Sequence, residues 1–137
     1  MQMQITRAGA QATNPGPAAY FTGEVTIEPV PTPGAPSRVN AARVTFQPGA
    51  RTAWHTHPYG QTLVILSGLG RAQTDGGPVQ ALNPGDTLFF APGERHWHGA
   101  APDSALCHLA LQEAKDGSAA DWLEQVSEAE YSAPPAD

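Results

Sequence analysis

The sequence predicts an all-β fold, a small antiparallel barrel with a short helical segment at its C-terminal end. Glycine and proline are frequent, with 14 of each among 137 residues, against a usual combined share of about 12%. They separate short apolar runs along the chain, which argues against disorder. The runs recur about every ten residues, the spacing that is typical of a β-sandwich or a barrel.

Each predicted strand is a run in which apolar and polar residues alternate, or a compact apolar stretch. Alternation places one set of side chains on the buried face of a strand. Turn residues lie between the runs: Asp-Gly-Gly at 75–77 is a typical hairpin signal, and residues 83–86 and 92–93 form two further turns. The predicted strands cover residues 25–27, 42–46, 61–67, 71–74, 79–82, 87–91 and 105–112.

The C-terminal residues 118–131 are predicted to be helical. Ser118 begins a capping pattern, and the apolar side chains of Trp122 and Val126 follow at helical spacing. A second helical turn is predicted to start at Ser127, and Trp122 and Val126 are expected to pack outside the barrel. The chain is therefore predicted to form one domain, residues 1–137, with a barrel core at about 22–113, the helical segment at 118–131 and a frayed tail at 132–137.

Composition and charge exclude several classes of partner. The net charge is −6 and the arginines are scattered along the chain, so no basic stripe is available for nucleic acid. No apolar run is long enough to cross a membrane, and the N-terminal residues lack the pattern of a signal peptide. The single cysteine, Cys107, cannot form an intrachain disulfide and is typical of a reducing compartment. We therefore expect a cytoplasmic protein.

The histidines are the residues that indicate chemistry. All five lie between His55 and His108, and four of them form the pairs His55/His57 and His96/His98. Residues i and i+2 of a strand share one face, so each pair places two imidazoles side by side. Neutral imidazole is the commonest protein ligand for a transition metal. The spacing therefore predicts a metal site built from two strands.

Two segments around these histidines resemble the two motifs of the cupin family. Residues 49–68 match the first motif, and residues 85–96 match the second. The chain departs from the motifs in two places. Gln61 stands where the first motif has a metal-binding glutamate, and the proline of the second motif is displaced by one residue to Pro92, with Ala91 in its usual place. The resemblance implies a cupin, or jelly-roll, β-barrel.

Segments 46–58, 92–100 and 121–131 further resemble the bacterial cupin hydroxynitrile lyases. That resemblance implies one divalent metal per chain, usually manganese, with a glutamine in the fourth ligand position. It also implies cleavage of cyanohydrins, a class of small molecules, to an aldehyde and cyanide. The metal ligands would then be His55, His57, Gln61 and His96. Three nitrogens and one amide oxygen also suit iron, nickel or zinc.

The predicted ligand set is electrically neutral, because Gln61 replaces a carboxylate. A divalent ion would keep its full charge there and act as a stronger Lewis acid. Four protein ligands on a six-coordinate ion would leave two positions open. The sequence therefore predicts a reactive site and not a purely structural one.

His98 and His108 are the histidines left over by this ligand set. His108 shares the parity of Gln112 on the last predicted strand, so it is expected to face the same cavity and to act as general base, with a pKa near 6.5. Thr52, Gln112 and His98 are expected to hold the substrate or the leaving group. An apolar wall for the substrate is predicted from Ala42, Val44 and Phe46.

Other interpretations of these residues stay open. The histidines could be buried structural residues, Gln61 an ordinary polar residue at a strand end, and His98 a donor to a backbone carbonyl. Trp54 and Trp97 alternate with the histidines and are expected to face away from them. Cys107 is expected to be a small buried residue, and Arg51 and Glu94 are expected at the surface.

Three classes of function fit these residues: a metal-dependent lyase, a metal-dependent dioxygenase or other oxidoreductase, and a non-catalytic cupin that binds a small molecule. We also expect a homodimer or homotetramer, because the N-terminal residues 1–24 need a surface to lie on and C2 assembly is common.

Overall fold

The computed structural model describes residues 2–136, which form thirteen β-strands and one short α-helix. The all-β class is confirmed. In chain order the elements are β1 (Asn14–Pro15), β2 (Phe21–Thr22), β3 (Val25–Val30), β4 (Val39–Phe46), β5 (Arg51–Thr52), β6 (His55–Thr56), β7 (Gln61–Gly68), β8 (Gly70–Thr74), β9 (Gln80–Leu82), β10 (Thr87–Phe90), β11 (His96–Ala100), β12 (Leu106–Glu113), β13 (Asp121–Trp122) and α1 (Glu128–Tyr131).

Two antiparallel sheets form the barrel. The first has the order β1-β3-β4-β12-β7-β10, and the second contains β13-β6-β11-β5-β2 together with β8 and β9. Three eight-residue strands, β4, β7 and β12, lie side by side in the first sheet. Their alternating residues point inward and supply six of the thirteen buried residues of the main core, which contains Phe21, Val25, Val44, Phe46, Ala50, Leu63, Ile65, Ala72, Leu82, Phe90, Ala100, Leu106 and Ala110.

A second, smaller core lies outside the second sheet. Trp54 and Trp97 pack there with Val79, Val126 and Tyr131, all of them buried. Because side chains alternate across a strand, these tryptophans point away from the face that carries the histidines. The expectation that Trp54 and Trp97 are packing residues is confirmed.

The helix predicted from residue 118 to Val126 is wrong. Trp122 instead lies in β13, where it pairs with His55 of β6. The neighbouring backbone is also bonded to the barrel: Leu123 N–H donates to Trp54 O (2.8 Å), and Trp54 N–H donates to Glu124 O (2.9 Å). These long-range bonds replace the helical ones, so tertiary pairing overrides the local pattern. We call residues 118–131 the C-terminal strap.

The second predicted helical turn is confirmed as α1. Ser127 caps it, with a reciprocal capping box between Ser127 and Glu130. Val126 packs outside the barrel as expected, whereas Trp122 packs against the main core. The strap therefore contributes to both cores.

Arg51 is buried, with 6% of its surface exposed, and not at the surface as expected. Its guanidinium donates to Val126 O (3.0 Å) and lies 4.6 Å from the centroid of the Tyr131 ring. These contacts stabilise the buried guanidinium and anchor the strap. Cys107 is half-buried rather than fully buried, and Glu94 is also half-buried. Within residues 2–136 no helix has the length and apolarity needed to cross a membrane.

Candidate metal centre

All five histidines are buried on the inner surface of the barrel, as their spacing predicted. β6 carries His55, β11 carries His96 and His98, and β12 carries His108. His96 pairs directly with His55 across β11 and β6, with ring centroids 4.3 Å apart. The two sequence pairs therefore meet at one point of the second sheet.

Backbone carbonyls select the ring nitrogen that three of these histidines present to the cavity. A carbonyl oxygen only accepts, so each Nδ1 must be the protonated nitrogen, and in a neutral ring Nε2 is then a bare lone pair. The bonds run from His55 to Ala53 O (2.8 Å), from His57 to Ala119 O (2.6 Å) and from His96 to Glu94 O (2.8 Å). This is the orientation that a metal-ligating histidine requires.

Gln61 completes an arrangement that favours a cation. Its Oε1 lies 3.2 Å from His96 Nε2, so two lone pairs face each other. Protonation of His96 Nε2 would turn this contact into a hydrogen bond. Burial lowers the pKa of His96 to about 4, however, so the ring stays neutral at neutral pH. Within residues 2–136, the buried Nε2 of His57 also has no hydrogen-bond partner. These bare nitrogens and the amide oxygen fit a divalent metal ion.

His98 is a further candidate ligand that the sequence motif did not select. The ligating atoms of His55, His96 and His98 all lie within 4.8 Å of one another. His57 lies outside this group, with its ring centroid 5.0 Å from that of His55 and 5.5 Å from that of His96. The structure thus places a triad of histidines that could bind a metal, with His57 and Gln61 beside it.

Burial also determines the charge of the remaining histidines. It lowers the pKa of His98 well below its ordinary value, and it lowers the pKa of His108 to about 4. The expected pKa near 6.5 for His108 is therefore wrong, because strand parity predicts which way a side chain points but not how completely it is dehydrated. His108 is neutral at pH 7, and its Nε2 lies 3.1 Å from His98 Nδ1.

A cavity of about 230 Å³ adjoins the histidines. It is lined by every residue predicted for the apolar wall and for contact with the substrate, namely Ala42, Val44, Phe46, Thr52, His98, His108 and Gln112. Sequence reasoning missed Phe21, Ile27, Ala119, Ala120 and Trp122, which also line it. The parity of β3 could have identified Ile27, but the strap residues lay in the segment predicted to be helical.

Two predicted polar contacts differ in their availability to a ligand. Thr52 Oγ1 accepts a bond from the backbone N–H of His98 (3.2 Å), so its own hydrogen is free to donate into the cavity. Gln112 is occupied at both ends of its amide: it donates to Asn40 O (3.3 Å) and accepts from Gln61 Nε2 (2.9 Å). Gln112 therefore contacts Gln61 through its oxygen, and both of its amide hydrogens are directed at Asn40 and not at a substrate.

Comparison with known proteins agrees with this geometry. The chain is 55% identical to the (R)-mandelonitrile lyase of Granulicella tundricola over 129 residues, which is 94% of this chain and 98% of that protein. A cupin-like protein from Thermotoga maritima superposes with a TM-score of 0.81 and 37% identity, covering 94% of this chain and 95% of the other.

A cupin-2 domain protein from Rhodospirillum rubrum shares the fold, with a TM-score of 0.70 and 23% identity over 95% of this chain and 84% of the other. The family model for the cupin domain matches residues 42–111. These residues include all five histidines, the whole of β7 and β11, and most of β4 and β12. On this evidence the chain belongs to the cupin family.

Proposed function

We propose that this protein is a divalent-metal-dependent lyase that cleaves cyanohydrins to an aldehyde and hydrogen cyanide. The observation that carries the proposal is the lone-pair contact between Gln61 and His96 beside an apolar cavity that also holds a neutral histidine, His108. The 55% identity to an (R)-mandelonitrile lyase supports the same reaction class.

The residues that would hold the metal are His55, His57, Gln61 and His96, with His98 as a further candidate. Manganese is favoured by the resemblance, and iron, nickel and zinc also suit a nitrogen-rich set. When bound, such an ion supplies Lewis acidity toward the oxygen of the substrate. The neutral amide of Gln61 leaves that acidity undiminished, whereas a carboxylate would reduce it.

The chain's own residues would perform the proton transfer. His108 is neutral at pH 7, and in the tautomer that donates the Nε2 hydrogen to His98 Nδ1 the lone pair of His108 lies on Nδ1. In that state His98 carries its hydrogen on Nε2, so it would act toward the substrate and leave the metal to His55, His57, Gln61 and His96. Nδ1 would accept the hydroxyl proton of the cyanohydrin. The oxygen's electron pair then forms the carbonyl bond, the carbon–carbon bond to the nitrile breaks, and its electron pair leaves with cyanide. The proton on His108 completes hydrogen cyanide.

The cavity walls would select and orient the substrate. Ala42, Val44 and Phe46 give an apolar surface for the side chain of the cyanohydrin. Thr52 has a free hydroxyl hydrogen in the same cavity, which suits a hydrogen bond to the substrate or to the leaving cyanide.

The proposal is tested by measuring aldehyde and cyanide released from racemic mandelonitrile by manganese-loaded and chelator-treated protein, with oxygen consumption followed in parallel. Stoichiometric aldehyde and cyanide that depend on the metal, without oxygen uptake, are the expected result. Oxygen uptake with a small organic substrate would favour a dioxygenase. Ligand binding without turnover, whichever metal is loaded, would favour a non-catalytic cupin.

We also propose that the protein acts on small molecules, that it does so as a homodimer or homotetramer, and that it is located in the cytoplasm. Its single cysteine, Cys107, is a free thiol, which is compatible with a reducing compartment. Net charge of −6 supports the expectation that nucleic acid is not a partner.

A further inference from the structure

Three amide side chains lie side by side across the three central strands of the first sheet. Gln112 of β12 pairs with Asn40 of β4 on one side and with Gln61 of β7 on the other. All three are at the same end of the barrel, and Gln61 and Gln112 line the cavity. The row runs from Asn40, which is half-buried, to Gln61, which is buried.

The direction of every hydrogen bond in this row follows from one backbone group. The backbone carbonyl oxygen of Asn40 only accepts hydrogen bonds, so the end of the Gln112 amide that faces it is the NH2 group. The same NH2 group also contacts the side-chain oxygen of Asn40, Oδ1. The other end of Gln112 is therefore its oxygen, and it accepts from Gln61 Nε2 at 2.9 Å. Gln61 then has its own oxygen facing His96 Nε2.

We infer that Asn40 and Gln112 are positioning residues that determine which end of the Gln61 amide faces the metal. The two ends of a glutamine amide have nearly the same shape, so packing alone does not distinguish them. Only the oxygen can ligate a cation, and a flipped amide would direct an NH2 group at it. This inference rests on the proposed metal site, and it concerns ion affinity rather than the reaction catalysed there.

The test is a double-mutant cycle that measures cobalt(II) affinity by competition with a chelator. Gln112→Met keeps the length of the side chain and removes both its acceptor and its donors. It is expected to weaken cobalt affinity about 10-fold to 100-fold, the usual effect of losing a group that orients a ligand. In a Gln61→Ala background the same change is expected to have no further effect, because no amide is left to orient.

Two more measurements separate positioning from general damage to the fold. Gln80→Met makes the same chemical change at an exposed residue of β9 and is expected to leave cobalt affinity unchanged. The visible spectrum of bound cobalt is expected to change in Gln112→Met toward that of Gln61→Ala, because an amide that is no longer held presents its oxygen to the ion only part of the time.

A second variant keeps the inference testable if Gln112→Met does not fold. Asn40→Ala removes Oδ1 but keeps the backbone carbonyl, so a smaller loss in cobalt affinity is expected, again absent in the Gln61→Ala background. Equal losses in both backgrounds would overturn the inference. So would unchanged affinity in Gln112→Met or in Gln61→Ala. Failure of cyanohydrin cleavage with this cycle intact would count against the proposed reaction alone.

Discussion

Three backbone carbonyl groups decide which nitrogen the site's histidines present. Each accepts from an Nδ1, and each belongs to a different part of the chain: Ala53 before β6, Glu94 before β11 and Ala119 in the strap. The lone pairs on Nε2 are consequently arranged before any ion arrives. A site organised in this way loses little conformational entropy on binding, which favours affinity.

Replacement of a single histidine tests the ligand set directly. His55→Ala removes one lone pair from the centre of the cluster, and the protein is expected to lose bound metal almost completely. Elemental analysis of the purified variant, alongside circular dichroism to confirm its fold, measures this. Full metal occupancy in a folded His55→Ala protein would show that the proposed ligands are wrong.

Gln61→Glu tests the importance of a neutral ligand. The carboxylate adds one negative charge next to the ion. The variant is therefore expected to retain the metal, while the Lewis acidity of the bound ion falls. We expect kcat to decrease by about tenfold or more. Metal content and turnover of mandelonitrile are measured on the same preparation, and unchanged turnover at full occupancy would contradict the argument.

His108→Ala separates the proposed base from the ligands. The variant is expected to keep near-normal metal content while turnover drops by about 10²–10⁴, the range for removal of a general base. His108→Gln, which keeps a polar side chain of closer size but has no basic nitrogen, serves as the matched variant and is expected to show the same loss. Metal loss in His108→Ala would identify His108 as a ligand instead.

The sequence predicted the positions of these residues better than their chemical states. The spacing of the histidine pairs and the parity of β12 correctly placed His98 and His108 in one cavity. The pKa of about 4 for His108 was not predictable, because it depends on the depth of burial. The hydrogen bonds of the Gln112 amide to Asn40 and Gln61 could not be predicted either, since Asn40 lies 72 residues away in the chain.

At the scale of elements, the C-terminal strap connects the two cores to the candidate metal centre. Trp122 packs against His55 with ring centroids 4.6 Å apart and the rings tilted by 31°, and the backbone carbonyl of Ala119 accepts the bond from His57. The capping box of α1 could be predicted from the sequence because it is formed within four residues. β13 could not be predicted, since its partner β6 is distant in the chain and the pairing of the two strands outweighs a weak helical pattern.

The Arg95–Glu124 ion pair links this strap to the residue before His96. An Arg95 guanidinium nitrogen lies 2.6 Å from Glu124 Oε1, and this hydrogen bond lowers the pKa of Glu124 to about 2, from an ordinary value of 4.5. The pair therefore stabilises the folded state fully above about pH 4.5, and the stabilisation is lost as pH falls toward 2. Solvent exposure keeps the effect small.

Glu124→Gln is expected to be less stable than the wild-type protein at pH 6. The difference in the free energy of unfolding should shrink progressively between pH 4.5 and pH 2, as the wild-type carboxylate becomes protonated. Urea denaturation at several pH values measures it. Asp121→Asn, the same chemical change at an exposed residue of β13, is the control. A difference that does not vary with pH would refute the assignment to this ion pair.

At the scale of the whole molecule, the outer face of the first sheet is unusually apolar. Side chains that alternate with the core residues of β7, β10 and β12 point outward there, among them Val64, Leu66, Phe89, Leu109 and Leu111. Phe89 is 64% exposed and Leu66 is 45% exposed. Exposed apolar patches of this kind mark association surfaces in soluble proteins.

The N-terminal residues add to the case for association. Residues 2–10 are exposed along their whole length, with Met3 and Ile5 among them, and they precede the first strand. An extended segment that covers so little of its own barrel is available to lie on a second copy. A homodimer joined through the outer face of the first sheet would bury these groups together.

The last prediction is that association depends on this face. Sedimentation of the wild-type protein at micromolar concentration is expected to show a dimer or a tetramer, since a stable interface needs only about 800 Å² from each partner. Phe89→Lys together with Leu66→Lys places two charges at separate points of the apolar face. Because an unpaired charge is costly to bury, this double variant is expected to sediment as a monomer with its fold intact.

Leu123→Lys makes the same kind of change at a leucine that is 42% exposed on the strap, and it should leave the assembly unaltered. A wild-type protein that remains monomeric would refute the association, and dissociation by Leu123→Lys alone would move the interface to the strap.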